Sequence, residues 1–321
     1  MLISLILACK SPTPTPPVDT DTDVTDTAPP VPTADTAPEI PVVDCRITPA
    51  APFNYEQLQT PRAFHGIAFD HEGRMVGHDG SNLLVSMAPD DTSIMVPNVG
   101  YTEQVEFLES GDLITATNNG IRRYTPGAGS VTLANGINAY GVTIGSDGMI
   151  YTANTNVIHR IDPDTGDVEV WHQFQIGSPK VLDFSVDHRT MYVGTLGNQG
   201  RVYTIAVSED FEAEGAPELF NNTPGGSWHD GLRVDACGRV YVAVYDNSAL
   251  YMFEPDGTRT LLVNYPTPQY GHGIQWGSGV GEWDDHTIYV PQPYDNNRVA
   301  KLELGVPYRN YNGGVYEVIT D

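Results

Sequence analysis

The stretch WHDGLRVDACGRVYVA, residues 228–243, contains one complete structural unit. Trp228, His229 and Asp230 lead into Gly231. Leu232 and Val234 then alternate with polar neighbours, the period of a strand with one buried face. Asp235-Ala-Cys-Gly238 reads as a turn, with glycine supplying the positive φ that closes a hairpin. From Val240 to Ala243 the chain turns continuously apolar, as a more buried second strand would.

The unit recurs. FHGIAFDHEGRMVG (64–77), TEQVEFLESGDLITAT (102–117), AYGVTIGSDGMIYTA (139–153), PKVLDFSVDHRTMYVGT (179–195) and YGHGIQW (270–276) with HTIYVPQP (286–293) are its other copies. Taking the residue at the start of each step as a phase marker gives His65, Glu103, Tyr140, Lys180, Asp230 and His272, spaced 38, 37, 40, 50 and 42 residues apart. The insert SEDFEAEGAP (208–217) accounts for the long fourth spacing. A period of roughly 40 residues with about four strands per unit is that of a β-propeller. The expected fold is all-β: six four-stranded blades over residues 45–321, with CRIT (45–48) as a closing outer strand and VYEVI (315–319) completing a blade. No stretch shows sustained helical periodicity.

The formal net charge is −25. Residues 11–44 carry seven acids and no base, leaving 34 acids against 15 bases beyond them, so the acidity is not confined to a tail. This argues against nucleic acid and anionic lipid surfaces as partners and leaves small molecules and cations open. A domain of this size buries enough core to stand as a monomer.

MLISLILAC (1–9) is an apolar run too short to span a membrane and reads as an export signal. Its end resembles a bacterial lipobox, which would make Cys9 a lipidation site; the basic residues usual at the start of such signals are missing. Residues 10–44 are Pro/Thr/Asp-rich and too poor in apolar groups to offset ordering entropy, the composition of a disordered tether. Together these place the domain in the cell envelope, held to a membrane only by a lipid, or secreted. With Cys9 set aside, Cys45 and Cys237 remain as an even pair: either a disulfide in an oxidising setting or two separate thiols.

At HDGLRVDACGRVYVAVYDNSALYMFEPDG (229–257) the chain resembles the gluconolactonase–regucalcin family. LDFSVDHRTMYVGT (182–195) and KLELGVPYRNYNGG (301–314) resemble that family's blade and terminal strand. The resemblance implies a divalent cation in the channel mouth that polarises a lactone carbonyl for attack by water. Asp230 matches the family's metal-binding aspartate, whereas His65 and Lys180 stand where it has Glu and Asn. Two readings follow. In one, His65, His272, Asp230 and Glu103 hold zinc or manganese in place of calcium. In the other, Lys180 is itself the cation and pairs with Asp230. His229 is either a general base or a polar channel residue. Trp228, Tyr140 and Trp276 are candidate stacking surfaces for a sugar or aryl ring, and Asp70, Asp147 and Asp235 are turn residues. The expected function is lactone or ester hydrolysis, with Asp230, Lys180 and His229 as candidate catalytic residues. The alternative is a non-catalytic propeller that binds a small ligand or a protein.

Overall fold

In the computed structural model, each copy of the repeated unit becomes two antiparallel strands, and two more strands complete a blade. The structure describes residues 40–49, 51–59, 62–197, 200–309 and 316–320. Cys9 and the tether up to residue 39 lie outside the described residues; the folded unit comprises Ile40–Asp321. Six four-stranded antiparallel sheets follow one another along the chain, and no helix occurs among the described residues. The architecture is the expected six-bladed propeller.

Blade five runs His229–Val234, Val240–Val244, Ala249–Phe253 and Arg259–Asn264, from the channel outward. The inner three strands are buried at every residue, while the outer strand exposes Arg259, Leu261 and Asn264 and buries Leu262 and Val263. The turn predicted at Asp235 forms: Gly238 has φ +78°, and the Asp235 carboxylate accepts the backbone N–H groups of Cys237 and Arg239. Asp70 repeats the arrangement in blade one, accepting from Glu72 and Arg74, with Gly73 at φ +80°. An acceptor two and four residues ahead of these N–H groups fixes the hairpin that carries each inner strand.

The glycine after the marker has a steric cause. A Cβ on Gly231 would lie 2.4 Å from the His272 carbonyl oxygen, one on Gly141 2.6 Å from that of Lys180, and one on Gly273 2.6 Å from that of His65. Neighbouring inner strands thus touch backbone to backbone around the channel, and Gly273 N–H donates to His65 O at 2.8 Å. Only glycine allows this approach.

Ring closure and the chain ends differ from expectation. The outer strand of blade six is Glu56–Leu58, paired antiparallel with Val299–Lys301, not CRIT. Leu58 is buried there against Val299, whereas Cys45 and Arg46 sit in a turn. The C-terminal Glu317–Ile319 completes no blade. It pairs in parallel with Val42–Asp44, which the sequence assigned to the tether, in a separate two-stranded sheet. All three of its residues are exposed, so they offer a blade no apolar face. The insert at 208–217 lengthens a hairpin rather than forming a loop: Ala213–Asn222 is the ten-residue outer strand of blade four. Cys45 and Cys237 form a disulfide that spans 192 residues.

Candidate functional site

All six phase markers line one cavity of about 360 Å³ at the channel mouth. Each stands where its chain enters an inner strand, so the ring of blades turns a linear repeat into a circle of side chains.

Asp230 is the hub. One carboxylate oxygen, Oδ1, pairs with the Lys180 ammonium; the other, Oδ2, lies 3.0 Å from His272 Nδ1, off the line of a hydrogen bond. All three side chains are buried. Burial alone would raise the Asp230 carboxyl, but His272 and Lys180 more than offset it and hold it well below the usual carboxylate range. Burial lowers His272, with Asp230 opposing, so its imidazole is neutral at neutral pH. His272 Nε2 has no hydrogen-bond partner among the described residues. The Lys180 ammonium also lies 3.9 Å from the centre of the Tyr140 ring and 5.4 Å from that of Trp228, a two-sided cation–π contact. Tyr140 therefore serves Lys180 directly, and its hydroxyl donates to Asp230 at 3.4 Å.

Beside this group, His65 Nδ1 and Glu103 Oε2 are 2.6 Å apart, and Tyr101 OH lies 3.0 Å from the same nitrogen. The His65 and His272 rings stack, with centroids 4.5 Å apart and planes 18° from parallel.

The expected metal set does not fit. Metals bind imidazole in the ring plane, and two stacked rings direct their lone pairs side by side rather than at one point. No three ligand atoms of His65, Glu103, Asp230 and His272 come within 4.8 Å of one another; among the described residues only the surface group Asp284, Asp285 and His286 does. Asp230 already holds an ammonium, which repels a divalent ion, and Glu103 is engaged with His65.

His229 does not face the cavity. Its Nδ1 accepts the Thr195 backbone N–H at 3.1 Å, and Nε2 lies 2.8 Å from Thr223 Oγ1. The ring packs on Gly194 inside the wall between blades four and five, with no exposure, and burial pushes its pKa down to about 4. Its adjacency to Asp230 in sequence suggested a base; strand alternation sends the two side chains to opposite faces. Trp276 likewise lies in the core, donating to Val306 O at 2.8 Å. Trp228 lines the cavity and is 45% exposed.

Sequence reading missed two sets of residues. Tyr101, Asn138 and Ser178 line the cavity two positions before a marker, as Trp228 does, so the strand period itself carried the signal. Asn118, Thr155, Leu196, Tyr245 and Tyr294 come from the ends of second strands, where no repeat motif marks them. Three residues past the markers, a polar tier fills the channel. Glu106 binds Arg233 at 2.6 Å and Gln275 at 3.1 Å, and Asp183 binds Arg309 at 2.9 Å. Arg309 and Arg233 outweigh burial and keep Asp183 ionised. Blades two and five oppose each other, so Glu106–Arg233 and Gln104 Nε2 to Asp230 O, at 2.8 Å, span the axis and floor the cavity.

Residues 138–272 match the family model described as SMP-30/Gluconolactonase/LRE-like region. No curated protein sequence matches the chain. Among solved structures, a gluconolactonase from Xanthomonas campestris is similar at 15% identity and TM-score 0.66, over 81% of this chain and 91% of that one. A calcium-binding protein, regucalcin, from Agrobacterium tumefaciens is similar at 15% identity and TM-score 0.66, over 86% and 99%. An auxiliary nutrient binding protein from Bacteroides thetaiotaomicron gives 13% identity and TM-score 0.60, over 77% and 70%. At such identities the structures share the fold alone, a six-bladed propeller, in which residues 138–272 are similar to the SMP-30/gluconolactonase/LRE-like region.

Proposed function

We propose that the channel mouth hydrolyses a lactone or related ester, with the Lys180 ammonium doing the work of a metal ion. One observation carries this reading: Asp230 holds the Lys180 ammonium on one oxygen and faces the His272 imidazole with the other, at the wall of a blind cavity. His272 Nε2 takes a proton from water as the water oxygen attacks the carbonyl carbon. Lys180 stabilises the oxyanion that forms. The ring C–O bond then breaks, and the leaving alkoxide takes the proton back from His272. The products are an alcohol and a carboxylic acid on one chain. Asp230 holds the Lys180 ammonium in place and, by its charge, stabilises the imidazolium between the two transfers. The disulfide supports an exported location, and Cys9 is the proposed lipid anchor.

A second reading is capture of the same ligand without turnover. The neutralised Lys180–Asp230 pair favours it, since a paired ammonium polarises a carbonyl less than a free one.

A pH-stat assay of lactone opening by residues 40–321 tests the choice. Hydrolysis should persist in chelator. The Lys180→Met/Asp230→Asn double variant, which removes both charges and so strands neither, should lose about 10²–10³-fold in kcat. Activity that requires added divalent metal overturns the built-in cation, and intact recovery of bound lactone favours capture.

A further inference from the structure

The rim of the cavity is two-faced. Over blades two and three it presents Asn118, Asn138 and Thr155, all exposed and polar, with Tyr101, 38% exposed, as the one aromatic beside them. Over blades four to six it presents Leu196, Trp228 and Tyr294, exposed by 37%, 45% and 52%. These apolar groups are continuous. Leu196 and Trp228 form a β-bridge across neighbouring blades. The Trp228 and Tyr245 rings are 5.4 Å apart, and Tyr245 and Tyr294 are 5.5 Å apart. Tyr294 in turn lies 5.7 Å from His272, so the wall runs from solvent down to the proposed base. The charged groups lie deep: Lys180, Asp230 and His272 are all buried. A contiguous exposed apolar strip costs solvation unless something covers it. A small polar lactone held at Lys180 would leave this strip bare.

We infer that the substrate carries a hydrophobic substituent, aliphatic or aryl, which lies along Leu196, Trp228, Tyr245 and Tyr294 while its ester group sits at Lys180 and His272. The inference rests on the cavity being the hydrolytic site proposed above, and it adds a substrate class: hydrophobically substituted lactones rather than bare polar ones.

The test is a series of γ-lactones with no side chain, a propyl chain and a hexyl chain. In parallel, the corresponding 2-alkyl tetrahydrofurans, which cannot be hydrolysed, are titrated by tryptophan fluorescence. Trp228 is the one exposed tryptophan of four, so quenching reports on the rim. We expect kcat/KM to rise about two- to fourfold per added methylene over the first carbons. Trp228→Ala should cost the hexyl lactone at least tenfold more in kcat/KM than the unsubstituted one, and Leu196→Ser and Tyr294→Ala should act in the same direction. Flat or falling kcat/KM along the series, with the parent lactone turned over, overturns the inference and leaves hydrolysis standing. Absent turnover with ether binding that tightens with chain length upholds the hydrophobic subsite and overturns hydrolysis. Ether binding that ignores chain length overturns the subsite directly.

Discussion

His229 and Asp230 show how one peptide bond separates a wall residue from a site residue. Asp230 faces the channel and stays ionised between Lys180 and His272; His229 faces the wall and stays neutral. The sign of its effect on stability follows. A buried imidazole lowered to about 4 is protonated later in the folded chain than in the unfolded one, near 6.5. Its contribution is fully present above pH 6.5 and is lost as the pH falls through 6.5 towards 4, amounting to about 3 kcal/mol by linkage. Thermal melts from pH 7 to 4 should therefore fall more steeply for the wild type than for His229→Gln, whose amide can keep both hydrogen bonds. Equal slopes would place the titration elsewhere. His272 follows the same logic in activity: burial lowers this base, so the acid limb of the turnover profile should lie below that of an ordinary imidazole. The markers were legible in sequence because spacing alone phases the blades. Which face each neighbour takes depends on local register, and blade five shifts register between His229 and Gly231, where no sequence signal marks it.

At the scale of the element, the inner strand is written in the sequence as marker, glycine, hydrophobic residue, and the glycine is the part with the sharpest consequence. Gly231 has an ordinary negative φ, so alanine there faces no conformational penalty. Its Cβ would meet the His272 carbonyl at 2.4 Å and the Gly273 carbonyl carbon at 2.9 Å, both backbone and both unable to swing away. Gly231→Ala should thus cost about 1–3 kcal/mol as overpacking and displace Asp230 from His272. Chemical denaturation and lactone turnover together check this: stability and rate fall jointly if the inner strands are spread, and unchanged stability would refute the contact. Glu56–Leu58, by contrast, was invisible. Three residues with one apolar side chain carry no periodic signal, and their role comes from pairing with Val299–Lys301 some 240 positions away. The six inner and second strands were readable because their hairpins are local.

At the scale of the molecule, ring closure brings the two ends of the propeller to the blades where they are fastened. Glu56–Leu58 completes blade six, Val306 accepts from Trp276, Ala236 N–H donates to Pro307, and Cys45 is bonded to Cys237 in the blade-five turn. The disulfide closes 192 residues, from ahead of blade one to the first hairpin of blade five, so it restricts the unfolded chain strongly. The chain-entropy account puts this at about 5 kcal/mol, an upper figure because strand pairing already tethers the same region. Reduction, or Cys45→Ser/Cys237→Ser, should lower the melting temperature on the order of 10 °C for a domain of this size. Turnover at low temperature should stay within twofold, because neither cysteine lines the cavity. A melting temperature unmoved by reduction would mean that Glu56–Leu58 alone holds the ring shut. A loss of turnover without a loss of stability would mean that the fastened ends set the geometry of the channel floor, where Arg309 reaches Asp183.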